Sequence, residues 1–140
     1  MKIAATIALA LAAAAMAGVA TAQETTLKAK LTGAAEKPPG DPKGSGSATV
    51  KLDTAKNQVC YELKVEGLAG TMAHIHKGGA DVAGPVAVPL SPPDSSGKSQ
   101  GCASADAAVV KDIAANPGGY YVNVHSAAFP GGAVRGQLAK

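Results

Sequence analysis

The chain has 140 residues, a formal net charge of +3 at pH 7, two cysteines and 3% aromatic residues. That length accommodates one ordinary domain and is short for two. Its charges are interspersed with no basic stripe, and the rings able to stack on bases are limited to Tyr61, Tyr120, Tyr121 and Phe129, which argues against a nucleic-acid partner.

At the N-terminus, Lys2 precedes an uncharged, alanine-rich apolar run from Ile3 to Val19, and Ala20-Thr21-Ala22 supplies a small-x-small cleavage signal. Residues 1–22 therefore read as a secretory signal peptide, leaving a secreted or periplasmic chain from Gln23 to Lys140. A membrane anchor is the competing reading, but the apolar run is short for a bilayer crossing of about 20 residues. No other segment is long and apolar enough, so no membrane span is expected after cleavage.

From there the pattern has mainly the period of strands. Leu27, Ala29 and Leu31 alternate with Lys28 and Lys30, which predicts a half-buried first strand; Gly33 to Gly46, with Pro38-Pro39-Gly40, is a loop. Ala48 to Leu52 resumes a strand. Val59, Tyr61, Leu63 and Val65 then alternate with Cys60, Glu62, Lys64 and Glu66, the clearest two-residue period in the chain. Met72 to His76 and Val82 to Leu90 are further strands, the latter interrupted by Gly84-Pro85 and so placed near an edge or bulge. Pro92 to Gly101 reads as a polar loop. Ser104 is placed as a helix N-cap, with Asp106 in the first turn, a stripe of Val109, Val110 and Ile113, and a stop at Pro117-Gly118-Gly119. Tyr120 to His125 and Ala133 to Leu138 are the last strands, turned by Pro130-Gly131-Gly132. About seven short strands and one short helix predict an all-β fold, an antiparallel Greek-key sandwich or barrel.

Cys60 and Cys102, an even pair in an exported chain, read as one structural disulfide. On the loop-entropy model, closing that loop constrains the unfolded chain by roughly 4 kcal/mol. A thiolate metal site or redox pair would favour C-x-x-C spacing, which is absent.

The chemically informative residues are the three histidines, His74, His76 and His125. Two positions apart on a strand, His74 and His76 project from one face while Ala73 and Ile75 turn to the core. On the Tyr120–His125 strand, Tyr121, Asn123 and His125 share a face. If the two strands are neighbours, three neutral imidazoles converge on one borderline metal such as copper or zinc. The plain alternative is a solvated strand face that happens to carry histidine. Arg135, the one arginine, is either half of an ion pair or an anion guide beside the histidines. No G-x-S-x-G elbow, P-loop or dinucleotide fingerprint is present.

Ala73-His74-Ile75-His76-Lys77-Gly78, the run Gly119 to Ser126 (GYYVNVHS) and the run Phe129 to Leu138 (FPGGAVRGQL) together resemble the chordin-type domain called CHRD; Gly33-Ala34-Ala35-Glu36-Lys37-Pro38-Pro39 and the Gly46 to Leu52 strand resemble its opening. The resemblance covers nearly all of residues 23–140. It implies a secreted β module, of the kind that accompanies growth-factor antagonists in animals and occurs in secreted microbial proteins. The chain is also similar, more weakly, to copper/zinc superoxide dismutase, where an H-x-H, a later Val-His and an arginine of the last strand surround copper. His74, His76, Val124-His125 and Arg135 match that order. The departures are the lack of a bridging fourth histidine and of zinc-loop histidines, and a short segment between His125 and Arg135.

The expectation is thus an exported binding module holding copper, with zinc less favoured, through His74, His76 and His125, while Arg135 stays uncoordinated nearby. The alternatives are a copper-dependent, dismutase-like redox enzyme and a module that binds protein without metal.

Overall fold

Alternation of apolar and polar residues converts most of the chain into strands with one buried face. In β1 (Glu24–Thr32), Leu27, Ala29 and Leu31 are buried while Lys28 and Lys30 are exposed. The same division runs through β2 (Ser45–Asp53) and β3 (Gln58–Glu66), where Val59, Tyr61, Leu63 and Val65 turn inward. Fully burying a side chain of this size contributes about 1.5–3 kcal/mol, so a slip of one residue would forfeit several such terms on each strand. The computed structural model describes residues 23–140 and four isolated positions before them, 14, 15, 17 and 18. Apart from those four, the signal-peptide reading of residues 1–22 lies outside the described residues.

Eight strands, not seven, make one antiparallel sheet. The others are β4 (Gly70–Lys77), β5 (Val86–Leu90), β6 (Lys98–Ser104), β7 (Tyr120–Ser126) and β8 (Val134–Gln137), with helix α1 (Ala107–Ala115) between β6 and β7. The order is β5-β4-β7-β8-β1-β2-β3-β6. Pairing of β3 with β6, and of β4 with β7, skips over intervening strands, as Greek-key connections do. The two end strands approach each other and curl the sheet almost into a barrel. Ser91 N donates to Tyr61 Oη at 2.8 Å, and Ser99 Oγ donates to Ser91 O at 2.8 Å, so side chains and single backbone groups bridge the seam. Val110 and Ile113 of α1 join the barrel core.

Three local expectations need correction. Residues 98–101 belong to β6 and are not loop; β6 shows no alternation because no side chain of it is fully buried, and it is held by its ladder to β3. Ser104 ends β6, and Asp106 is the residue before the helix. The Val82–Leu90 strand begins only at Val86, since Gly84-Pro85 turns the preceding residues out of the sheet.

Cys60 and Cys102 face each other across β3 and β6 and are disulfide-bonded. The bond fastens the end strand that packing holds least. Among the described residues, no helix is long and apolar enough to cross a membrane.

Candidate metal centre

β4 and β7 are direct neighbours, so the condition for bringing the three histidines together is met. Alternation turns Ala73 and Ile75 of β4 into the core and Met72, His74 and His76 outward. Across the ladder, Met72 faces His125, His74 faces Asn123, and His76 faces Tyr121. The ring centroids of His74 lie 5.3 Å from His76 and 5.1 Å from His125. One ligand nitrogen from each of the three lies within 4.8 Å of the others. Bonds to zinc of about 2.0–2.1 Å would set such nitrogens about 3.3–4 Å apart, so a small rotation of the side chains closes them on one ion.

β7 is buried along its whole length, unlike an ordinary barrel strand. Three loop segments reach the side chains of its outward face: Gly84 at Tyr121, Glu36 at Asn123 and Pro130 at His125. His76 and His125 are consequently only 8% exposed, whereas His74 is partly open to solvent.

The covering loops fix the imidazoles through backbone carbonyls. His76 Nδ1 lies 2.8 Å from Gly84 O, and His125 Nδ1 lies 2.8 Å from Pro130 O. A carbonyl only accepts, so each Nδ1 carries the proton and donates, and in the neutral His125 ring Nε2 then keeps its lone pair. His125 Nε2 is 3.2 Å from His74 Nδ1. His76 Nε2 is 3.0 Å from Asn123 Oδ1, a second acceptor, so His76 offers this nitrogen to an ion only by giving up that contact. Imidazoles that ligate metals are commonly tied in this way on the non-ligating nitrogen.

Arg135 sits behind this cluster and is 1% exposed. Its guanidinium donates to Val82 O at 2.8 Å, Gly79 O at 2.6 Å and Gln137 Oε1 at 3.1 Å. It lies 3.4 Å over the ring of Tyr121, which is stacked on His76 on its other face. Tyr121 Oη accepts from Gly84 N at 3.0 Å. Arg135 and Tyr121 thus fasten the 78–85 loop, and that loop presents the carbonyl that orients His76. The anion-guiding expectation for Arg135 meets a guanidinium turned to loop carbonyls and away from solvent. Position 84 must be glycine for this arrangement, because a Cβ there would strike the carbonyl of Lys77.

Glu36 is buried at 4% exposure, and Asn123 Nδ2 donates to its Oε1 at 3.4 Å. Burial raises its pKa against the lowering pull of the Asn123 hydrogen bond and of Arg135. Gly132, at φ 138°, leaves room for it: a Cβ there would lie 2.5 Å from the Glu36 carboxyl carbon. Asn123 was placed on the His125 face by strand alternation, but Glu36 carried no sequence signal for this role, since it arrives on a loop.

Burial is also the largest cause lowering the pKa of His74, followed by the neighbouring His125 and His76; His76 is lowered mainly by burial, against the bonds to Gly84 and Asn123. Both therefore lose their protons below the ordinary 6.5. A depressed histidine pKa means that the unfolded chain binds more protons, so this contribution to stability is complete above pH 6.5 and is lost as pH falls through the folded values. Titration of the imidazole Cε1 protons by NMR should place both midpoints below 6.5; a midpoint at or above it would contradict the burial argument.

A concavity of about 760 Å³ lies elsewhere, on the outer face of β2, β3 and β6 beside Ser47, Glu62, Lys64 and Gln100. It gathers none of the histidines.

The family comparison agrees with the extent of this fold. The CHRD domain matches residues 27–138, from β1 to the end of the last strand. No curated protein and no solved structure matches the chain.

Proposed function

The chain belongs to the CHRD domain family, and we propose that it is an exported binding module that holds one copper ion through His74, His76 and His125. The observation that carries this reading is the fixing of both buried imidazoles by backbone carbonyls, at Gly84 and Pro130, with a third imidazole in contact. A solvated strand face gives no reason for histidines to be buried and fixed on loop carbonyls. Three imidazoles on a partly open site leave a coordination position for an exogenous ligand. Copper is favoured over zinc because affinity for a given set of nitrogen ligands rises along the divalent series to copper. Export is supported by the N-terminal sequence and by the Cys60–Cys102 disulfide, a bond favoured in oxidising compartments.

The test is competitive loading of the purified protein with copper and zinc, read by elemental analysis. One copper per chain, displacing zinc, is the expected result. Absence of copper uptake would remove both the metal-binding module and a dismutase-like enzyme, leaving a module that binds protein. Copper uptake without superoxide dismutation would remove the enzyme alone.

A further inference from the structure

We propose that Met72 is a fourth copper ligand, a thioether that adds to the three imidazoles and gives the site affinity for cuprous as well as cupric ion. This rests on the three-histidine reading and names the residue on its open side. Met72 lies two residues before His74 on β4, on the same outward face, and is the cross-strand partner of His125. Directly opposed residues of an antiparallel pair have Cβ atoms about 4.5–5.5 Å apart. The flexible methionine side chain can therefore bring sulfur to the ion from the side that no imidazole occupies.

Two further observations favour a ligand over a packing residue. Met72 is 47% exposed, one of only three strongly exposed large hydrophobic side chains among the described residues, and it contributes nothing to the core. His74 lies beside it on this face along the strand, and His125 lies across it on β7. A thioether is a soft donor that suits cuprous copper, whereas imidazole is a ligand for divalent ions, cupric copper and zinc among them. Met72 and His74 are open to solvent while His76 and His125 are buried, so the Met72 side is the open side of the cluster.

The experiment compares the whole protein with Met72→Leu, a swap of similar volume at an exposed position. Cuprous ion is supplied as its acetonitrile complex without oxygen, in competition with a chromophoric chelator, and the ¹³Cε-methyl signal of methionine is followed by NMR. The chain has three methionines, and the other two, Met1 and Met16, lie in residues 1–22, so they are absent after processing or serve as references. The methyl signal of Met72 should shift on addition of cuprous ion. Met72→Leu should weaken cuprous binding by about tenfold or more, with zinc affinity changed by less than about twofold. Equal cuprous affinity in the two proteins, or an unmoved Met72 methyl while the histidine signals shift, would overturn the Met72 assignment alone. Failure of the unaltered protein to bind cuprous, cupric or zinc ion would overturn the three-histidine reading and this one with it.

Discussion

Replacing His125 by alanine should lower copper affinity by about 100-fold or more, a larger loss than the 10–100-fold typical of altering a group that merely supports a ligand. His125 is the only one of the three imidazoles contributed by β7, and its Nε2 lies 3.2 Å from His74 Nδ1. Its Nδ1 is held by Pro130 O, so the ring is oriented before any ion arrives. Without it, His74 and His76 remain as a two-ligand chelate on one strand, and the ion loses the contact that spans the ladder. The His125 ring is buried, so its removal also leaves a cavity. Circular dichroism and the melting temperature of the variant separate that effect from lost coordination. Competition titration measures the affinity, and unchanged copper binding by a folded His125→Ala protein would reduce the centre to a simple H-x-H chelate.

Arg135→Ala should act on stability more than on the ion. Three acceptors depend on this guanidinium, namely Val82 O, Gly79 O and Gln137 Oε1, and its stack on Tyr121 fills the space behind His76. Each buried acceptor left unpaired costs about 1–3 kcal/mol, and part of that is recovered if the 78–85 loop opens to water. A loss of about 3–5 kcal/mol in urea unfolding is expected from these unpaired acceptors together with the lost packing on Tyr121. Copper stoichiometry should stay at one per chain, with affinity reduced by no more than about tenfold, because Gly84 O no longer holds His76 firmly. Arg135→Lys should not restore the stability, since an ammonium cannot reach the two loop carbonyls and Gln137 with one planar fork. A stability change below about 1 kcal/mol would mean that the loop is fastened by other contacts.

Much of this architecture was legible wherever a strand keeps one dry face. The alternation in β3 names its buried side chains one by one, and the H-x-H on β4 places two imidazoles outward for the same reason. β6 was not legible, because Lys98, Gln100 and Cys102 are exposed and so is Gly101, leaving no apolar period to detect. Its strand state comes from pairing with β3, a long-range event. The helix was found through Val110 and Ile113, but its start was placed too early because Ser104 and Asp106 are both good capping types. At the candidate site, the strands supply the ligands and loops supply their orientation. Gly84 O, Pro130 O and Glu36 come from segments whose local sequence says only that they turn. Arg135 stands on a strand, yet its burial depends on the 78–85 loop folding across it.

The central claim is that three imidazoles meet on one copper ion. Pulsed electron paramagnetic resonance on the cupric protein tests this most directly, because the remote nitrogen of each bound imidazole modulates the signal and the number of coupled rings can be counted. One copper per chain with three coupled imidazoles, falling to two in His125→Ala, is the predicted result. A copper signal coupled to one or two imidazoles in the unaltered protein, or copper distributed over several weak sites, would contradict the account.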